Sequence, residues 1–197
     1  MRLKTANALS ALIFALMLTL TVNAYADGVD MSAINDMDRA AYVGKFGGIF
    51  EKSPWVADKA WEKRPFASID DMHLAMVNVV KYAPLPSQLA LLQAHPDLAG
   101  KEAQAGAMTT SSVSEQASAG LNALSKAEMA QISDLNAAYK SKFGFPFIIA
   151  VRMHTKEGIF FDFQRRLLND TQTEYANDLQ NVYAITRLRL NSLLTPK

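Results

Sequence analysis

Ala94-His95-Pro96-Asp97-Leu98-Ala99-Gly100-Lys101 is the stretch on which the reading of this chain turns. A helix-like segment, Ser87 to Gln93, runs straight into it. Pro96 has no backbone N–H and biases His95 out of helical φ/ψ. His95 therefore falls just past a helix end, where an imidazole can face a cavity. The chain has three histidines, His73, His95 and His154, and only His95 sits at such a break. Histidine changes charge near neutral pH. Taken alone, a histidine at a helix C-terminus is explained as well by capping or packing. The rest of the chain has to decide.

Working outward, helix signals follow one another on both sides. Upstream, Asn35 to Gly44 reads as a helix ended by Gly47-Gly48. Ser53 fits an N-cap and Pro54 the first position of a helix to Lys63. Ser68 caps the next helix, Ile69 to Tyr82, whose Ile69, Met72, Met76, Val79 and Val80 repeat at a helical period. His73 lies within it and reads as a partly buried structural residue. Downstream, a Gly/Ala-rich loop covers Gly100 to Thr110. Two capping boxes follow, Ser112-x-x-Glu115 and Ser125-x-x-Glu128, the second opening a long helix to about Lys142. Phe145-Pro146-Phe147-Ile148-Ile149-Ala150-Val151 is a continuous apolar run. No other strand candidate exists to pair with it, so it reads as an extended segment crossing the core. Arg152 follows directly and needs a partner, because a lone buried charge is expensive. Thr155 to Leu168 and Thr171 to Leu194 complete the set, with Arg187 and Arg189 near the last C-terminus, where the helix dipole favours cations. The expectation is a single compact all-α domain of about eight uneven helices.

The 197 residues are half hydrophobic and carry a formal net charge of +1, which suits one domain with a real core. No basic block or basic–aromatic interleaving appears, which argues against a nucleic-acid partner. With no cysteine, thiol chemistry and thiolate metal sites are excluded. Residues 1–26 read separately. Arg2 and Lys4 precede an uncharged apolar run, Ala8 to Val22, and Ala24-Tyr25-Ala26 is a small-x-small cleavage site. This is the pattern of a secretory signal peptide cut after Ala26, leaving a domain over 27–197 that is periplasmic or secreted, with no stable membrane anchor. The apolar run is short for a spanning helix, which needs about 20 residues.

Four polar features follow apolar or proline-set breaks: His95, Ser112 with Glu115 and Gln116, Arg152, and the Ser53-Pro54-Trp55 turn. Together they would supply an acid/base, a carboxylate to orient it, an amide and a guanidinium. Arginine binds carboxylates bidentately, and histidine moves protons at neutral pH. The inventory suits proton transfer on a small anionic substrate. It contains no phosphate-cradling loop and no zinc-type histidine pair. Glu115 is equally well a capping residue, and Arg152 a helix ion pair.

The motifs also carry a family resemblance. Gly47-Gly48-Ile49-Phe50-Glu51-Lys52-Ser53-Pro54-Trp55, then His95-Pro96-Asp97-Leu98-Ala99-Gly100-Lys101 and Ser112 through Leu121, are followed by Tyr139-x-x-Lys142-Phe143-Gly144-Phe145-Pro146-Phe147, Arg152 and Arg165-Arg166-Leu167-Leu168-Asn169-Asp170. In this order the chain resembles the 2-oxo-4-hydroxy-4-carboxy-5-ureidoimidazoline (OHCU) decarboxylase family over roughly residues 31 to 195. The resemblance implies an all-α fold, usually a homodimer, no cofactor and no metal. It implies a carboxy-lyase of urate degradation that converts OHCU to (S)-allantoin. His95 would match the family's proton donor and Glu115 the acidic residue beside it. Pro96, Ser112, Val113, Ser114, Glu115, Gln116, Phe147, Ile148, Ile149, Ala150 and Val151 would match substrate-binding positions, and Arg152 the arginine that grips the substrate. The competing expectation is an exported helical ureide-binding protein without turnover. A third is an all-α interaction domain indifferent to His95, Glu115 and Arg152.

Overall fold

Asp38 decides how the chain begins to fold. Its carboxylate accepts from the Ala41 N–H at 2.8 Å, starting a helix of its own, so the single helix expected over Asn35 to Gly44 is two. In the computed structural model, which describes residues 29–194, these are α1 (Met31–Asn35) and α2 (Arg39–Phe46). They are followed by α3 (Trp55–Trp61), α4 (Ile69–Lys81), α5 (Leu85–Gln93), α6 (Lys101–Gln104), α7 (Thr110–Ser118) and α8 (Lys126–Phe143). A 3₁₀ turn, Val151–Met153, leads to α9 (Lys156–Arg166) and α10 (Thr171–Leu194). Among the described residues there are ten α-helices and no strand. The all-α expectation holds, with more and shorter helices than the periodicity suggested. The expected signal peptide lies outside the described residues.

Local chemistry explains most boundaries. Ser68 accepts from the Asp71 N–H and starts α4 as expected. The Ser125–Glu128 capping box closes reciprocally at the start of α8. Gly144 ends α8 in the left-handed region, φ 81°, which glycine adopts without steric cost. Two expected caps are corrected. Ser53 caps nothing: α3 follows Pro54 without a side-chain cap, and Ser53 is buried. The Ser112–Glu115 box does not form either. Thr109 is the N-cap of α7, accepting from the Ser112 N–H at 3.3 Å, so the helix starts earlier and both residues lie inside it. Their side chains are thereby released from capping. The loop expected over Gly100 to Thr110 contains the one-turn α6.

The core forms where α3 packs on α2 and α4, and α10 on α4 and α8. Around Tyr139 lie Phe143, Phe145, Phe147 and Phe163, with Phe147 stacked on Phe163 at 3.9 Å and edge-on to Tyr139 at 5.3 Å. The apolar run Phe145 to Ala150 crosses this core as an extended segment, buried throughout. Buried backbone needs partners, and side chains supply them. Ile148 donates its N–H to Asp178 Oδ1 (3.1 Å) and accepts at its carbonyl from Arg166 Nη1 (2.9 Å), while Ala150 donates to Asn181 Oδ1 (3.0 Å). Arg166 also pairs with Glu174 (2.9 Å) and Asp178 (2.6 Å). This buried ionic knot ties α9, α10 and the extended segment together.

Candidate active site

His95 lies just beyond α5, as Pro96 requires. Its Nδ1 stands 2.9 Å from the Leu91 carbonyl, which can only accept, so Nδ1 carries the proton and neutral His95 presents a lone pair at Nε2. Nε2 is buried without a protein partner. Burial pushes the imidazole pKa down to about 4, against the pull of its bond to Leu91 and of Glu51. The turn behind it is held by Gln116, whose Oε1 accepts from the Ala99 N–H at 2.8 Å, fixing Ala99 at φ 48°.

Beside His95 runs a second buried network. Arg189, on the inward face of α10, gives Nε and Nη2 to the two oxygens of Glu115, each at 2.8 Å. Its Nη1 meets Glu51 Oε2 at 2.9 Å and the Ile49 carbonyl at 3.3 Å, and Nη2 also reaches Ser112 Oγ at 3.2 Å. Ser112 Oγ in turn donates to Glu51 (3.0 Å), and Thr109 Oγ1 does the same (3.0 Å). Burial pushes the Glu51 carboxyl up, but Arg189 and the Thr109 hydroxyl outweigh it and hold it below the usual carboxylate range. Burial likewise disfavours the Arg189 charge, and Glu115 and Glu51 more than restore it.

His95, Pro96, Ser112, Glu115, Gln116, Phe147, Ile148, Ile149 and Val151 line one pocket, joined by Leu98, Ile185 and Arg189. Its empty volume is about 360 Å³, counting the part open to solvent. Val113, Ser114, Ala150 and Arg152 are not part of that lining. Val113 is exposed on the far side of α7. The Ala150 N–H is occupied by Asn181.

Two placements concern charge. Arg152, expected to grip the substrate, is exposed and bonded to Ser192 Oγ (3.0 Å) and Ser114 Oγ (3.5 Å), and it borders a small adjoining cavity with Glu115, Ala150, Val151 and Ile185. The 3₁₀ turn is the reason: it keeps Val151 inward and turns residue 152 outward. Glu115, expected to orient His95, gives both oxygens to Arg189 instead, and no hydrogen bond joins it to His95 among the described residues. Arg189 and Glu51 were both missed as site residues. The signal for Arg189 was present in its spacing from Val182 and Ile185, which puts it on the buried face of α10.

Residues 35–191 match the profile of the family described as OHCU decarboxylase. The chain belongs to the OHCU decarboxylase family. A relative named 2-oxo-4-hydroxy-4-carboxy-5-ureidoimidazoline decarboxylase from Haloferax volcanii is 40% identical over 160 residues, 81% of this chain and 93% of the relative. One of the same name from Amia calva is 36% identical over 166 residues, 84% of this chain and 95% of the relative. Among solved structures, one titled (S)-allantoin synthase superposes with a TM-score of 0.68 at 28% identity, covering 84% of this chain. The chain spans 54% of that protein's length. As an OHCU decarboxylase family member, the chain carries its histidine and glutamate on a single all-α domain, the turn after α5 meeting α7 and α10 at the pocket. Among the described residues, no group of three or more His, Asp or Glu side chains is arranged to hold a metal ion.

Proposed function

We propose that this chain decarboxylates OHCU to (S)-allantoin, with His95 as the group that carries the proton. The observation behind this is the buried, unpartnered Nε2 of His95, a residue that lines the same pocket as Glu115. Relatives matched over 93% and 95% of their own length bear the decarboxylase name. The substrate is a small polar anion. When the bond to its carboxylate breaks, CO2 leaves uncharged and the electron pair stays on the ring system. A proton delivered from one face then sets the configuration. In this reading His95 delivers it. Glu115, locked by Arg189, holds a fixed carboxylate against the substrate's polar hydrogens. The apolar wall formed by Phe147, Ile149 and Val151 keeps water from the developing charge.

The test supplies OHCU from urate, using a urate-oxidising enzyme and a hydroxyisourate hydrolase, and follows circular dichroism. Rapid appearance of (S)-allantoin, abolished in His95→Asn, is the expected result. Racemic allantoin forming at the spontaneous rate would sink the assignment.

The leader pattern of Arg2, Lys4, Ala8 to Val22 and Ala24-Tyr25-Ala26 supports export of the protein, with cleavage after Ala26. N-terminal sequencing of the protein from a periplasmic fraction tests it, and an intact Met1 there would count against cleavage. Exposed Leu74, Tyr82 and Leu85 give apolar surface in keeping with a homodimer. Light scattering reads the mass directly.

A further inference from the structure

Arg189 is the single cationic side chain among the described residues that line the pocket, and all its donors are in use. A guanidinium has five N–H groups. Here Nε serves Glu115, Nη2 serves Glu115 and Ser112, and Nη1 serves Glu51 and Ile49. Nothing remains for a ligand. The charges tell the same story. Two carboxylates, Glu51 and Glu115, face one guanidinium, so the buried network is left with a net negative charge. His95 adds none while it is neutral. The remaining acid near the histidine turn, Asp97, is paired with Lys140 on α8 at 2.8 Å. An anionic substrate thus enters a pocket whose lining offers no free cation and already carries negative charge; the nearest unpaired guanidinium, Arg152, borders a separate small cavity beyond Glu115, Val151 and Ile185.

The reaction also consumes a proton. The C–C bond to the carboxylate breaks, CO2 departs neutral, and the electron pair left behind must be protonated to give a neutral ureide. Resting on the decarboxylase reading above, we propose that Glu51 is a positioning residue for this reaction. It saturates Arg189 from behind, so that the one cation left for the substrate carboxylate is the imidazolium formed when the consumed proton enters with the substrate, onto His95 Nε2. The imidazole is then neutral in the free site and an imidazolium in the complex, ready to protonate the ring after CO2 leaves.

Two competitive ligands separate the charge from the shape: allantoate, a carboxylate ureide, and neutral allantoin. Their inhibition constants are measured between about pH 6.5 and 8.5. One proton taken up on binding weakens allantoate by about tenfold per pH unit as pH rises and leaves allantoin unchanged. In Glu51→Gln the network loses its excess negative charge. The allantoate slope should fall below about twofold per unit, and kcat should drop by about tenfold or more while KM does not rise. A flat allantoate constant in the wild-type chain overturns the proposal. So does a Glu51→Gln protein with raised KM and unchanged kcat, since Arg189 would then be gripping the carboxylate. If Glu51→Gln does not fold, Thr109→Ala, which removes a hydroxyl that holds the Glu51 carboxylate, takes its place, and an allantoate slope and kcat both equal to the parent's overturn the role given to Glu51. Turnover of OHCU by the wild-type chain tests the underlying reading separately.

Discussion

His95 and Arg189 show how far a side chain's meaning depends on what its neighbours leave free. The histidine keeps one nitrogen unclaimed, whereas the arginine keeps none. Arg152, in contrast, hydrogen-bonds to two serine hydroxyls and pairs with no carboxylate among the described residues. Arg152→Ala should therefore leave kcat/KM within about twofold of the parent, since surface changes away from special features cost little. Steady-state assay checks this, and a loss of about a hundredfold would return Arg152 to the site. Arg189→Lys retains a charge but not the five-donor fork. It should lower kcat by about tenfold or more, because Glu115 loses its two-point hold.

At the scale of elements, the extended segment from Phe145 to Ala150 depends on α10 for its backbone partners. Asn181→Ala strands the buried Ala150 N–H, at about 1–3 kcal/mol. It should also slacken the pocket wall and raise KM, while Asn181→Asp keeps the acceptor and most of the affinity. Equal KM values for the two variants would show that the wall does not rely on this bond. Gly144→Ala has no atom to clash with, but it forces alanine to φ 81°. It should cost about 1 kcal/mol and lower Tm by roughly 3 °C without changing kcat. The legibility of the chain divides along the same lines. Ser68, the Ser125–Glu128 box and Gly144 announce their helices because capping is local chemistry. The extended segment was readable because a buried run without a pairing strand has few options. Glu115 was misread as a cap because Thr109, three residues before Ser112, competes for the same role and wins. Glu51 and Arg189 lie 138 positions apart, and no local pattern records that they meet.

Across the whole molecule, two buried groups titrate against each other. His95, ordinarily at 6.5, is pushed down by burial to about 4. Between those values the folded chain binds fewer protons than the unfolded chain at this group. The stability it contributes is full above about pH 6.5 and is lost as pH falls toward 4. Asp178, ordinarily at 3.8, is pushed up by burial to about 7, sharing one guanidinium with Glu174. There the folded chain binds more protons, and stability is lost as pH rises from about 4 to 7. The two slopes oppose each other over the range they share. Removing the histidine leaves the aspartate's slope alone. Relative to the parent, His95→Asn should therefore gain about 2 kcal/mol at pH 5 compared with pH 7.5. Paired thermal melts at the two pH values measure it, and an unchanged difference would mean that His95 is not held neutral by the fold.

The meeting of Arg189 with Glu51 and Glu115 also sets when the protein becomes competent. Glu51, His95 and Glu115 are all made well before α10, yet none of them is in working order without it. A nascent chain is inert until residue 189 has left the ribosome and the last helix has docked. Carboxy-terminal truncations should accordingly behave as an on–off series: those ending beyond α10 keep full turnover, and those ending before Arg189 have none.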